Sequence, residues 1–136
     1  MTLEARVEEI AKTKLQDASR VLVFEEPGRV LYSTFEPSSS ELQPIAALTD
    51  DREAAIRSGI TVAGKHYEVH RHHPPLVYGR SAVPEPETSE GVAVCKTEQS
   101  VTGIPMHSVI TYEMPNISAR MVPLLVEFAK EALEPQ

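Results

Sequence analysis

The sequence predicts an α+β fold built on one mainly antiparallel sheet. An amphipathic helix is predicted at each end of the chain, with apolar strand-like runs between them. The predicted element order is α-β-β-α-α-β-β-β-β-β-α. Few helices separate one strand from the next, and strands that follow one another through short turns pair antiparallel. We therefore expect one domain over residues 1–136, a length that is ordinary for a single domain.

Helical spacing of apolar residues predicts the two terminal helices. Near the start of the chain, apolar residues recur at i, i+4 and i+7, at Leu3, Val7 and Ile10. Residues 118–133 carry a similar apolar stripe and are predicted to form the last helix. Pro123 lies inside this stripe and lacks the N–H group of an interior helical residue. We therefore expect the last helix either to start near Met121 or to bend at the proline.

Between the terminal helices the chain is predicted to form two short helices and seven strands. One short helix starts at residues 38–41, and the other covers 51–57 and ends at Gly59. Gly64 lies in a tight turn where a positive φ is expected. The predicted strands are residues 21–24, 29–33, 60–62, 66–71, 76–80, 91–97 and 109–115. Two loops are predicted, at residues 82–90 and 98–106. We expect the acidic and proline-rich part of the first loop to be mobile.

Composition and charge exclude several classes of function. The chain has 13 Lys and Arg against 20 Asp and Glu, a net charge of −7. This argues against nucleic acid as a partner and against a polybasic contact with anionic lipid. The single cysteine, Cys95, excludes an internal disulfide and is typical of a reducing compartment. With neither a signal peptide nor a run of about 20 apolar residues, we expect a cytoplasmic protein.

The sequence gives little support for catalysis or a metal site. Regular alternation would place three histidines on one strand face with Glu68, and imidazole suits zinc. The outer two are six residues apart, too far to reach one ion from a straight strand, so we expect a polar face and no metal. These histidines are His66, His70 and His72. Glu85, Glu87 and Glu90 are expected to form a solvated charge run.

Cys95 lies in an apolar run, and nothing in the sequence places a base beside it. The chain also lacks a nucleophile elbow, a phosphate-binding glycine loop and a zinc-protease motif. We therefore expect no enzyme activity and no cofactor.

Three motifs in order resemble those of the profilin family, over nearly the whole chain. The first comprises Asp51, Arg52, Gly59, Ile60, Val62, Gly64, Tyr67, Val69 and Arg71. The second comprises Gly91, Val92, Val94, Lys96 and Thr97. The third is Tyr112, Glu113 and Pro115, followed by Leu124, Leu125, Val126 and Glu127. The resemblance implies a profilin-like sheet with the terminal helices on one face and the short helices on the other.

The resemblance also implies a function and a site. Profilins bind the barbed end of monomeric actin, sequester monomers, promote nucleotide exchange on actin and permit addition at filament barbed ends, which implies a cytoskeletal protein that is a monomer. Packing is the alternative role for Val69, Val122 and Val126. The positions that match the family's actin face are Ala55, His66, Glu68, Val69, Arg71, Arg80, Ile117, Ala119, Val122, Pro123, Val126 and Glu127.

The sequence departs from the family at the polyproline site. Profilins hold polyproline on stacked aromatic rings, including tryptophans, between the terminal helices. This chain has no tryptophan, and Leu31, Thr2 and Ala5 stand where aromatic residues are expected. We expect weak or absent polyproline binding, as in divergent or archaeal profilins, and weak phosphoinositide binding because the chain is acidic.

The alternative is a roadblock or longin type of regulatory domain, which has a similar sheet and binds a small GTPase or dimerises. Fold similarity alone does not separate the two classes. The motifs at residues 51–71 and 91–97 favour the profilin family.

Overall fold

The computed structural model describes residues 1–83, 85 and 88–136, and its elements follow the predicted order. The helices are α1 (Leu3–Lys14), α2 (Ser39–Ala46), α3 (Arg52–Ser58) and α4 (Ser118–Ala132). The strands are β1 (Arg20–Glu25), β2 (Arg29–Ser33), β3 (Ile60–Val62), β4 (Lys65–His73), β5 (Leu76–Arg80), β6 (Glu90–Thr97) and β7 (Met106–Glu113). The predicted mobile loop includes Pro84, Pro86 and Glu87, which lie outside the described residues.

The seven strands form one antiparallel sheet in the order β2-β1-β7-β6-β5-β4-β3. Helices α1 and α4 pack on one face over a core that includes Val7, Leu125 and Phe128. The short helices cover the other face, where Leu42 and Ile45 belong to a second core. The predicted α+β class, with terminal helices on one face, is confirmed.

Local sequence signals account for several element boundaries. Thr2 caps α1 by accepting a hydrogen bond from Ala5 N at 3.0 Å. Asp51 caps α3 by accepting from the backbone N–H groups of residues 53 and 54. The turn between β3 and β4 has positive φ at both Ala63 and Gly64, 53° and 77°. Two such residues make the right-twisted turn that suits a tight hairpin.

One predicted boundary is wrong, and one question left open at α4 is answered. Helix α4 begins at Ser118, where the apolar stripe predicts its start, and not near Met121, because Ile117 O already accepts hydrogen bonds from the N–H groups of Arg120 and Met121. Pro123 therefore lies inside the helix. Strand β7 begins three residues earlier than predicted, since residues 106–108 are buried and pair with residues 95–97 of β6.

A β-bulge in β4 overturns the prediction that three histidines share one face, His66, His70 and His72. The register to β5 shifts between Val69 and Arg71, so His70 is the extra residue. Side chains beyond the bulge face the opposite way from a regular alternation. The His72 ring therefore lies on the short-helix side, with Nε2 2.7 Å from Leu48 O. Arg71 moves to the terminal-helix side, the side of Glu68.

Within the described residues, no helix has both the length and the apolar character needed to cross a membrane.

Candidate functional site

The bulge and the strand register bring charged residues of β4 and β5 together on the terminal-helix side. Glu68 pairs with Arg80, and Arg71 pairs with Tyr78. Tyr78 packs against the core under α1 and α4, which fixes the side to which this pair belongs. Arg80 is held in place by two hydrogen bonds to Ser89, from Nε to Oγ at 2.8 Å and from Nη2 to the carbonyl oxygen at 3.1 Å.

The start of α4 adjoins these strands. The Tyr112 and Ser118 hydroxyls lie 2.8 Å apart and connect β7 to the first turn of the helix. Burial raises the pKa of Tyr112, while the Ser118 hydrogen bond and the nearby Arg80 charge lower it in part. Val122 borders the same core as Tyr78, so the start of the helix and these strand residues lie on the same side of the sheet.

We call this surface the candidate face. Its members are exposed or half-buried, mix both charge signs with apolar groups, and lie on β4, β5 and α4. They are His66, Glu68, Arg71, Arg80, Ile117, Ala119, Val122, Pro123, Val126 and Glu127. Mixed character of this kind is typical of protein–protein interfaces.

Two predicted site residues lie in the core instead. Ala55 is 3% exposed and Val69 is 9% exposed, and both belong to the cluster under the short helices. Their side chains therefore support the sheet from the opposite side and are not available to a partner. Ile56, the next residue along α3, is exposed. Neighbouring residues of a short helix point in different directions. The sequence did not show which of the two, Ala55 or Ile56, reaches solvent.

His66 lies at the β3–β4 hairpin, opposite Thr61. Its ring occupies the space beside Gly59, where an added Cβ would come within 2.4 Å of His66 Cε1. Gly59 also has a φ of 70°. Glycine is therefore required at position 59 both by the backbone conformation and by the histidine that covers it.

A buried ionic cluster that the sequence did not predict lies on the short-helix side of the sheet, the side of Tyr67. Glu90, predicted to be a solvated charge, is 6% exposed. Its Oε2 accepts a hydrogen bond from the Tyr67 hydroxyl and lies 3.2 Å from Lys65 Nζ, while Oε1 lies 3.0 Å from Arg20 Nη1. Burial alone would raise the pKa of Glu90, but the hydrogen bonds from Tyr67 and Lys65 leave it below its usual value. The carboxylate therefore joins strands β1, β4 and β6.

Two kinds of reactive site, a metal centre and an activated thiol, have no counterpart among the described residues. No three or more His, Cys, Asp or Glu side chains among them are placed to hold a metal ion. Burial raises the pKa of Cys95 to about 11, so its thiol is protonated at neutral pH. A protonated, buried thiol is a poor nucleophile.

The groove between the terminal helices is occupied by contacts within the chain. Arg6 donates hydrogen bonds to Ala132 O at 3.1 Å and Glu131 O at 2.7 Å, at the end of α4. Lys14 lies 3.5 Å from the Glu131 carboxylate. Leu31, at the position of an expected tryptophan, is buried in the core below α1.

Comparison with known proteins is consistent with this architecture. Acanthamoeba castellanii profilin IB is 15% identical and superposes with a TM-score of 0.74, covering 96% of this chain and 95% of that one. Schizosaccharomyces pombe profilin is 20% identical with a TM-score of 0.73 and the same coverage. LokiProfilin1, solved in complex with rabbit actin, is 12% identical with a TM-score of 0.68, again over 96% and 95%.

At the level of sequence, no curated protein matches the chain. A family model described as Profilin nevertheless matches residues 3–108, which is most of the chain. This match favours the predicted family over the roadblock or longin alternative. The chain belongs to the profilin family.

Proposed function

We propose that this protein binds monomeric actin through the candidate face. Family membership is the observation that carries the proposal. Two structurally similar proteins, LokiProfilin1 and LokiProfilin2, have been solved in complex with rabbit actin. The proposed activity is binding rather than catalysis, and its consequence is control of actin assembly through the monomer pool.

The charges of the candidate face support this use. Arg71 is exposed, and within the part of the chain that the structure describes its guanidinium makes one 3.4 Å contact, with His70 O. Its guanidinium is thus available to a partner carboxylate, which it can contact with two parallel hydrogen bonds. Glu68 and Glu127 offer the opposite charge on the same surface, and Ile117 adds an exposed apolar group. Complementary charges of both signs fix the orientation of a partner.

The finer activities follow from the same contact. A protein that covers the barbed end of an actin monomer blocks spontaneous nucleation, and it dissociates once the monomer has joined a filament. We propose sequestration, faster nucleotide exchange and delivery to barbed ends as the outcomes, in a protein that acts as a monomer in the cytoplasm.

Assembly of fluorescently labelled actin tests the proposal. Increasing amounts of the wild-type protein should slow spontaneous polymerisation. Arg71→Glu should weaken binding about tenfold or more, because reversing a charge at an interface replaces attraction with repulsion. It should leave the fold intact, since exposed substitutions usually change stability by less than about 0.5 kcal/mol.

Arg52→Glu is the matched control, because Arg52 is exposed on α3, on the opposite side of the sheet. The same charge reversal there should not change the effect on actin. Equal activity of Arg71→Glu and wild type would remove Arg71 from the interface. Absence of any wild-type effect, on actins from several lineages, would contradict the proposed function.

Binding of polyproline can be tested separately from binding of actin. We expect no saturable binding of a labelled ten-residue polyproline peptide, because the groove between α1 and α4 has no aromatic platform and Arg6 bonds to the end of α4 across it. Fluorescence anisotropy measures this directly, with a tryptophan-containing profilin as the positive control. Micromolar binding would show that another surface replaces the aromatic groove.

A further inference from the structure

Strand β2 leaves one edge of the sheet open beside a groove. β2 is the first strand in the sheet order, so its outer side has no neighbouring strand. A groove of about 520 Å³ runs there. Four consecutive β2 residues line it, Val30, Leu31, Tyr32 and Ser33. Side chains alternate between the two faces of a sheet, so a groove lined by four successive residues follows the strand edge.

The opposite edge of the sheet is less accessible to a further strand. β3 has only three residues. Its turn is held by Glu41 of α2, whose carboxylate accepts hydrogen bonds from Ala63 N at 3.1 Å and Gly64 N at 2.8 Å. Short edge strands and covering helices are ways in which proteins prevent unwanted strand pairing.

β2 has only part of the usual protection of an edge strand. Its register to β1 shifts at Leu31, which makes a bulge, but the strand contains no proline and no lysine. Its only charged residue, Arg29, is turned into ion pairs with Glu4 at 3.1 Å and Glu25 at 3.5 Å. Val30 is exposed on this edge. The unpaired N–H and C=O groups of β2 are therefore free to bond an added strand.

The walls of the groove indicate the character of its occupant. Glu8 of α1 and Glu36 both line the groove, and both carboxylates are exposed. The ion pair of Glu4 with Arg29 shows that α1 runs alongside β2. Two aromatic residues line it as well, Tyr32 on the terminal-helix side of the sheet and Phe35 on the short-helix side. A lining of carboxylates and aromatic rings favours a segment that carries basic and apolar side chains.

We propose that β2 accepts an extended, basic segment of a partner protein as an eighth strand of the sheet. Main-chain hydrogen bonds provide affinity in such complexes, and alternate side chains provide specificity. The partner's apolar side chains would contact Tyr32 and Phe35, and its basic side chains would pair with Glu8 and Glu36. A second copy of this chain is a poor occupant, because it would bring identical carboxylates together.

This site is separate from the proposed actin contact and from a proline-rich ligand. The strands of the candidate face are β4 and β5, and β1, β7 and β6 separate them from β2. A proline has no backbone N–H and cannot form the ladder that strand addition requires. Binding should therefore decrease when prolines enter the segment.

A labelled eight-residue peptide that alternates valine and lysine tests the proposal by fluorescence anisotropy with the full chain. We expect saturable binding that weakens as salt is raised. Val30→Lys and Glu36→Lys should each weaken it about fivefold, the upper range for a cross-strand pair. The matched controls are Val101→Lys and Glu53→Lys, exposed positions away from the groove, which should leave binding unchanged.

Backbone amide shifts of residues 29–33 on titration with the peptide provide a second readout, which does not depend on any variant. Equal weakening by groove and control variants would overturn the proposal, as would undiminished binding of a peptide with proline in place of valine. Dimerisation of the free protein, abolished by Val30→Lys, would assign the edge to a second copy instead.

Discussion

Two buried ionisable side chains lie at opposite ends of the β6–β7 strand pair and are accommodated in different ways. Glu90 begins β6 and pairs with Glu113 at the end of β7, whereas Lys96 near the end of β6 pairs with His107. Glu90 is 6% exposed and His107 1% exposed. The same two strands therefore bury a carboxylate at one end and an imidazole at the other.

The two groups differ in how completely they are bonded. Both oxygens of Glu90 have partners, and two of these partners carry positive charge. His107 has its Nε2 2.7 Å from Glu26 Oε2, but its Nδ1 has no hydrogen-bond partner within the described residues. Burial lowers the pKa of His107, and the nearby Glu26 offsets this only in part. Glu90 is thus kept charged, and His107 is kept neutral at pH 7.

The difference shows what a buried ionisable group requires. A charge is tolerated in the interior when opposite charges and hydrogen bonds surround it, and otherwise the group becomes neutral. The compensated end is connected to the candidate face through the backbone, because Ser89, which precedes Glu90, holds Arg80. Anchoring three strands through Glu90 therefore also fixes the geometry of that face.

Removal of Glu90 should have the largest effect. We expect Glu90→Ala to lower the free energy of unfolding by about 3 kcal/mol, because the buried Tyr67 hydroxyl loses its acceptor and two cations lose their partner. The figure is at the low end for a broken buried pair, since the Arg20 and Lys65 side chains are 35% and 42% exposed and can be hydrated. Urea denaturation measures the loss.

Glu113→Ala is the control for this experiment. Glu113 faces Glu90 in the strand register but is exposed, and its carboxylate accepts only a 3.4 Å hydrogen bond from Ser19. Its removal should change stability by less than about 0.5 kcal/mol. Similar losses in the two variants would mean that the ionic cluster does not stabilise the fold.

Acid should destabilise the protein in two stages. Folding lowers the pKa of His107 below its ordinary 6.5, so below that pH the unfolded chain takes up a proton that the folded chain does not, and stability falls. Folding likewise lowers the pKa of Glu90 below 4.5, so its contribution is complete above pH 4.5 and is lost as pH falls through the folded value.

Urea denaturation between pH 8 and 3 would resolve the stages. His107→Phe should remove the decline that begins near pH 6.5 and keep the later one, and Glu90→Gln should do the reverse. A first stage that persists in His107→Phe would mean that another group titrates there.

The fold could be predicted from the sequence because its signals are local. Apolar spacing identified the helices, and short apolar runs separated by turns identified all seven strands. The alternative left open at α4 has a local cause as well, because a proline at the sixth helical position does not show whether a helical turn precedes it. The three motifs supplied the family, and hence the arrangement of helices on the two faces.

The site was less predictable because it depends on contacts distant in sequence. The bulge at His70 reverses the direction of Arg71, and no residue type marks it. Glu90 looked like one of several solvated acids, since Arg20, Lys65 and Tyr67 reach it from 23 to 70 residues away in the chain. The open edge of β2 is likewise a property of the sheet order and cannot be read from the strand itself.

Replacement of His107 by an apolar ring should have the smallest effect at neutral pH. The ring stacks on Phe24 with centroids 5.1 Å apart, and phenylalanine preserves this contact. The substitution also removes a buried nitrogen that has no partner within the described residues. Glu26 loses its hydrogen bond, but its side chain is 32% exposed and water can replace the imidazole. We therefore expect His107→Phe to change the free energy of unfolding at pH 7.5 by less than about 1 kcal/mol.

The contrast between a charged Glu90 and a neutral His107 depends on the stability of His107→Phe. His107→Ala is the control, since it creates a cavity and should cost about 3 kcal/mol, as does truncation of other buried rings. If His107→Phe is instead as damaging as Glu90→Ala, the imidazole is charged in the folded protein and pairs with Glu26 as an ion. Glu90 and His107 would then both be buried charges compensated by a partner of opposite charge. The acid transition near pH 6.5 should in that case be absent from the wild-type protein.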